Sequence, residues 1–556
     1  MTDSISVPSP RVLIAGGGPV GMFLAADLGR RNIPTLVVER SAKGSDQAKV
    51  MQISVRTLEF ARQLGMAESM WNWGFPLDYP LDNVFLTSLD GYELGRAPGA
   101  PMGQPGSPGF TEFSPEFQTH CPQPWLEPII EDRARSFDSV TVLRRHEFGA
   151  FDVSADGVRA NVTDLETGRE ITVDADYLIG CEGFGGSVQV ALGIPVEERT
   201  VDYSVDLEFL AHDLFAEHDK GPAVRYTLVD EGGTWGTIVA VDGTRRWRLS
   251  VYAVDRDQAD HLDPHAAIRR AIGHDLEYEI IRQGRWKRRA AMAASFGGGR
   301  VFLAGDSAHC SPPNGGFGMN TGIADVINLS WKLEASLQGW AGPQLLETYS
   351  SERRPIAQLT LAESVRDYHR LVDDTASTAI RTDSPEGAEQ RRMIGERLVQ
   401  DSLKAWRPLG IHIGYGYPWS SIVCNEPGVY PTFDPQDYTP TTSAGFRAPH
   451  WWIEEGRSTL DLFGRSHVLL RIGDAPNAEG IISAAAASGM PLEVVDLSEK
   501  QAGPYYDVPL VLVRPDGYIA WSGSSEPRDP GRTIDTLRGA VFNATAKALA
   551  LTEATL

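Results

Sequence analysis
The chain has 556 residues, with 51 Lys and Arg against 74 Asp and Glu, a formal net charge of −23 and a sequence pI near 5.0. An acidic surplus of that size repels phosphate backbones and anionic bilayers, which argues against a nucleic-acid or membrane binder. With 42% hydrophobic and 22% charged residues the composition is that of a globular protein, and about 100 to 200 residues per domain allow roughly three to five units. The first ten residues are polar with two prolines and lack the basic start and apolar core of a secretory leader, so a cytoplasmic location is expected. Cys121, Cys181, Cys310 and Cys424 stand tens of residues apart. Neither a C-x-x-C nor a metal knuckle is present, so buried free thiols and no metal site are expected.

Residues 11–15 form a short run of branched apolar residues that feeds into Gly16-Gly-Gly18-Pro-Val-Gly21, and residues 22–30 carry helical spacing. Strand, glycine turn and helix in that order make a dinucleotide cradle. Gly16 permits the turn, Gly18 lets backbone approach a pyrophosphate, and Gly21 lets helix and strand pack closely. A second strand, 35–38, ends in Glu39, 23 residues past the first glycine, where a carboxylate can bond an adenosine ribose. The cradle serves either a nicotinamide or a flavin dinucleotide.

Further along, residues near 84–113 and the alternating stretches 224–229, 234–241 and 247–252 predict a mainly antiparallel sheet. Arg246 and Arg248 lie two apart on one strand and so point the same way; solvent-facing charge is the plainer expectation for them. Phe113, Trp235 and Trp247 either line a pocket on this sheet or fill its core. Residues 300–304 read as a buried strand ending in Gly305-Asp306, followed by the glycine-rich stretch 312–320 and a helix from 323 to its stop at Gly339. Glycine-rich backbone at a helix start presents N–H groups to an anion such as a reduced flavin ring. No second complete G-x-G-x-x-G occurs. After Arg397 a Pro-, Gly- and Tyr-rich connector is expected. It is followed by strands at 467–472, 492–496 and 511–521 and a helix at 481–489.

The stretch 300–333 resembles the second flavin motif of the class A FAD-dependent aromatic hydroxylases, the family of para-hydroxybenzoate, phenol and polyketide hydroxylases. The resemblance implies an α/β protein: a Rossmann-like FAD-binding domain (1–85, 115–200 and 285–397), a mainly antiparallel substrate sheet (86–114 and 201–284), a connector (398–447) and a thioredoxin-like C-terminal domain (448–556). The cysteine-free C-terminal unit is expected to serve packing, oligomerisation or lid support, not dithiol chemistry. By the resemblance Asp306 binds the ribityl chain of FAD, Pro313 sits by the reactive edge of the flavin, and the backbone of Gly318, Met319 and Asn320 lies by its pyrimidine end. Gln123 matches a glutamine that contacts the flavin nucleotide. Lys49, or Gln47 if the register shifts, stands where the family has an arginine. Some members use an arginine near Arg248 to steer a phenolate, so Arg248 and Pro313 are the candidate catalytic residues. His309 and Asn328 are expected to be structural, and residues 345–355 end in a proline expected to start or break a helix.

Two positions depart from the family pattern. Glu182 replaces an aspartate and Gln189 replaces an arginine in a motif associated with flavin and nicotinamide binding. The implied activity is a monooxygenase that consumes NADPH or NADH and molecular oxygen and hydroxylates a small aromatic or polycyclic phenol through a flavin C4a-hydroperoxide. Epoxidation, ring expansion on the same core, and a flavin-containing protein that only shelters a reactive intermediate remain the alternatives. Pairing into a homodimer is among the expectations.

Overall fold
The computed structural model describes residues 9–212, 214, 218–372, 377–424 and 431–541. The first layer grows from Val12–Ala15, buried along its whole length. This strand pairs in parallel with Thr35–Glu39 and Tyr177–Gly180, and the sheet extends to Val140–Arg144 on one side and Val301–Leu303 on the other. Strands covered on both faces need no polar alternation, which is why they read as unbroken apolar runs. The helix Pro19–Arg30 packs against Gln123–Arg135 and Phe317–Gln338 over this sheet. Residues 146–175 add a three-stranded antiparallel meander that the sequence reading leaves unassigned.

Beside it stands an eight-stranded sheet in the order His309–Cys310, Glu279–Ala293, Val196–Leu210, Arg246–Val254, Gly233–Ala240, Arg225–Asp230, Asn83–Leu86, Glu93–Ala97. All neighbours are antiparallel except Arg225–Asp230 with Asn83–Leu86. The expected strands at 224–252 are all present, whereas 84–113 yields strand only as far as Ala97. Trp235 and Trp247 join the core of this sheet with Phe209 and Tyr226, so they fill it instead of lining a pocket. Val196–Leu210 and Glu279–Ala293, each 15 residues long, run through the expected cuts at 200/201 and 284/285. The passage from flavin layer to substrate sheet is therefore a change of surroundings within a strand.

Two helical expectations need correction. The helix Thr348–Val372 passes straight through Pro355. A proline withholds the N–H that would bond the carbonyl four residues back, here that of Ser351, and Trp419 Nε1 donates to that oxygen instead at 3.1 Å. The helix Pro385–Ala405 also runs past Arg397, so the connector begins after Ala405.

The C-terminal unit is a four-stranded sheet in the order Leu492–Leu497, His467–Ile472, Leu510–Val513, Ile519–Gly523. Its first pair is parallel and the others antiparallel, and Glu479–Ser488 forms the crossover, as in a thioredoxin-like fold. Buried ion pairs fasten this unit to the flavin layer. Arg514 donates to both oxygens of Glu352 at 2.7 and 2.9 Å, and Glu352 also accepts from Lys332 and Asn328. Arg447 and Arg56 share Glu59, and Arg31 links Asp27 and Glu334 to the Gly464 carbonyl. Among the described residues no helix is long and apolar enough to cross a membrane.

Candidate active site
The glycine turn has the backbone geometry its spacing predicts. Gly16 holds φ at +102°, and a Cβ there would strike the Cys181 carbonyl; a Cβ on Gly21 would collide with the Gly16 carbonyl oxygen. Gly18, which caps the Pro19–Arg30 helix, is different: a Cβ there meets nothing within 4 Å because it faces a cavity. Glu39 lies on the rim, its two oxygens accepting from the N–H groups of Gly17 and Ser41, each at 2.7 Å. A carboxylate has lone pairs to spare for a ribose after two such bonds.

This cavity, of about 730 Å³, runs from Gly16, Gly18 and Glu39 past Gln123 and Lys49 to Asp306, Pro313, Gly318 and Met319. It joins the glycine turn to the 305–320 stretch, and the open side of Gly18 leaves room for a pyrophosphate to approach the helix start. Asp306 stands exposed on the cavity wall; desolvation there lifts its carboxyl above the ordinary range while His309 and Lys49 pull it back. Gln123 also gives its amide to Glu127 at 2.6 Å. Lys49, not Gln47, reaches the site, with its ammonium 5.1 Å from the Trp286 ring centre. Asn320 and Gly21 do not line the cavity. The Asn320 side chain instead ties Ser54 and Thr57 to the carbonyls of Gln52 and Gly316, fixing the turn that enters the Phe317–Gln338 helix. His309 is held by Asp325 at 2.8 Å, and Asn328 belongs to the buried Glu352 cluster.

Glu182 and Gln189 work inside the loop that carries Gly183 to Ser187 along the cavity. Glu182 accepts from Val188 N and Ser187 Oγ at 2.9 and 2.7 Å, and Gln189 accepts from Gly185 N at 2.7 Å. Both departures from the family pattern are thus tied to backbone at the start of a short helix.

A second cavity of about 640 Å³ adjoins the first and shares with it Lys49, Phe184, Arg225, Arg248, Asp306 and Pro313. Tyr252, Trp286 and Trp406 give it aromatic walls, and Arg288, Arg289 and Arg370 add to its positive charge. Arg246 and Arg248 do not face solvent as expected. Arg246 pairs with Glu208 at 2.6 Å and donates to the Asp46 carbonyl; Arg248 donates to the Ala48 carbonyl and lines both cavities. Phe113 lies elsewhere, against Tyr438 and Tyr505.

The sequence reading missed Arg225. Its register places it opposite Val239, which in turn faces Arg248 across the next strand pair. The two guanidinium groups flank Val239 on one face of the sheet. Burial lowers the Arg225 pKa below its ordinary value, and no ion pair or hydrogen bond is described for its side chain.

A cavity framed by two glycine-rich motifs and opening onto an aromatic chamber has the arrangement a flavoprotein acting on an aromatic ligand requires. The family description "FAD binding domain" matches residues 10–364, and "Aromatic-ring hydroxylase, C-terminal" matches residues 441–544. The chain therefore belongs to the FAD-dependent aromatic-ring hydroxylases. It is 32% identical to a putative polyketide hydroxylase of Streptomyces halstedii, over 95% of each chain. Among solved structures, RebC with bound 7-carboxy-K252c is 36% identical with a TM-score of 0.89, covering 96% of this chain and 99% of that one. Aklavinone-11 hydroxylase with FAD and aklavinone is 26% identical with a TM-score of 0.78, covering 98% and 100%.

Proposed function
We propose that this FAD-dependent monooxygenase hydroxylates a fused phenolic ring system that carries an anionic substituent, with NADPH or NADH as its electron source. The observation that carries the reading is Arg225, a desolvated cation on the wall common to both cavities with no described counter-ion. A charge in such a place is expensive unless a ligand completes it. A chamber of about 640 Å³ falls in the range that encloses drug-sized ligands, which favours fused rings over a single one. RebC and aklavinone-11 hydroxylase, both crystallised with polycyclic ligands, support the same size class.

When bound, FAD supplies the redox chemistry that joins nicotinamide electrons to molecular oxygen. The chain's own part is positional. Gly18 and the 19–30 helix start hold the pyrophosphate, Glu39 the adenosine ribose and Asp306 the ribityl chain. Arg225 and Arg248 fix the substrate anion so that its ring lies against Pro313, and the aromatic walls keep water out.

The test is a panel of phenols, from single rings to fused systems, each as free carboxylate and methyl ester, assayed with either donor and labelled oxygen. One label is expected in the product, with the carboxylates preferred. Arg225→Ala should raise KM for them about 10- to 100-fold, the loss of a charged hydrogen bond, at unchanged flavin content. Equal use of the esters would refute the anionic requirement.

A further inference from the structure
The helix Thr348–Val372 lies against the loop that carries Pro313. Ser364 Oγ bonds the carbonyls on either side of that proline, Pro312 at 2.7 Å and Asn314 at 3.1 Å. One turn on, about 4.5 Å along the axis and on the same face, is Asp367, which lines the aromatic chamber. It is 7% exposed. Its Oδ1 accepts from Arg370 Nη1 at 2.8 Å, while no hydrogen bond is described for Oδ2.

We propose that Asp367 is the catalytic acid–base group that takes the proton of the substrate's ring hydroxyl and later returns it. The proposal rests on the hydroxylase reading above. The substrate O–H bond breaks, a new O–H bond forms on Asp367 Oδ2, and the electron pair stays on the substrate oxygen. That pair enriches the ring carbon that bonds the incoming oxygen atom. When the product ring recovers aromaticity, its C–H proton leaves to water and the carboxyl gives its proton back to the ring oxygen. Asp367 ends as it began, and the oxidant and electrons are those of the established monooxygenase reaction.

The surroundings suit the role. Burial first, and Glu363 second, push the Asp367 carboxyl up to about 6, while Arg370 and Arg366 pull it down. From the other elements around the chamber, Asp401 of the Pro385–Ala405 helix, Arg288 and Arg289 of the 279–293 strand, and Arg225, Arg248 and Asp306 across the cavity face the same space. Arg288 is engaged by Asp202 through two bonds, so its charge is largely compensated before it reaches Asp367. A carboxyl poised near 6 is ionised at neutral pH, yet basic enough to receive a phenolic proton as the ring begins to react.

The experiment uses FAD-loaded wild type, Asp367→Asn and Asp367→Glu, with 6-hydroxy-2-naphthoic acid as the probe. In Asp367→Asn, kcat for labelled product at neutral pH should fall about 100-fold or more, with FAD content and KM little changed. The deficit should shrink as pH nears the probe's own hydroxyl pKa, about 9 to 10 by analogy with tyrosine, because the ionised substrate needs no base. Asp367→Glu should recover part of the rate. A loss that stays flat with pH marks a merely structural residue and overturns the proposal, as does full activity in Asp367→Asn. If wild type does not turn over the probe, the substrate reading fails. The acid–base role is then judged by infrared difference titration: a carboxyl band titrating between pH 5 and 7, absent from Asp367→Asn, supports it, and no such band overturns it.

Discussion

At the scale of single residues, the cofactor half of the site divides between backbone and side chains. Gly16, Gly18 and Gly21 act by lacking a Cβ, and Asp306 presents a carboxyl on the cavity wall. Asp306→Ala should weaken FAD binding by about 1.5 to 3 kcal/mol if a charged hydrogen bond to the ribityl chain is lost, measured by equilibrium titration of the apoprotein. Unchanged affinity would remove Asp306 from the contact. The placement of these residues was legible because each lies within a short motif whose spacing is its geometry; their contacts with FAD are what the variant tests. Arg225 was not legible: in sequence it is one cation at the start of an apolar strand, and only the pairing of that strand with 233–240 brings it opposite Val239 and toward Arg248. Asp367 was hidden for a related reason, since its helix meets the Pro313 loop through Ser364, more than fifty residues away in the chain.

At the scale of elements, the long helix after the flavin motif illustrates how a local rule yields to a distant partner. Pro355 forbids the hydrogen bond to the Ser351 carbonyl, and the Trp419 indole takes the place of the missing donor. Trp419→Phe should therefore lower stability by about 0.5 to 1 kcal/mol, since water can partly replace the lost bond. In a Pro355→Ala background the backbone N–H returns and the penalty of Trp419→Phe should vanish; denaturant melts of the four proteins complete the cycle. An undiminished penalty in that background would show that the indole acts by packing. Strand identities fared well in the sequence, from 225–254 to 467–472, because these short runs are rich in β-branched, aromatic and aliphatic residues that a largely buried sheet selects. The helix ends at 405 and 372 were harder to place, because Pro355 and the polar 385–405 helix take much of their support from neighbours outside their own sequence.

At the scale of the whole molecule, the C-terminal unit is held by carboxylates buried beneath it. Burial alone would raise Asp27 and Glu59, yet the guanidinium groups of Arg30 and Arg31 and of Arg447 and Arg56 hold both down at about 2. A carboxyl with a depressed folded-state pKa stabilises the fold fully above its unfolded value, near 4, and loses that contribution as pH falls toward 2. Acid titration followed by near-ultraviolet dichroism and limited proteolysis should show the C-terminal unit released across that window. Glu59→Gln should destabilise the neutral protein by about 3 to 5 kcal/mol, as expected when one partner of a buried ion cluster is removed. An unshifted acid midpoint in that variant would place the anchor elsewhere. Release across the acid window would make the cysteine-free unit a buttress for the flavin layer. The wall shared by the two cavities has a different kind of consequence. Arg225, Arg248 and Pro313 border both the nucleotide cavity and the aromatic chamber, so a molecule that fills the chamber should alter the electric field at a flavin bound next door. The holoenzyme is its own indicator dye: compounds can be sorted by the shift they cause in its visible spectrum, in the dark and without oxygen, before any is tried as a substrate.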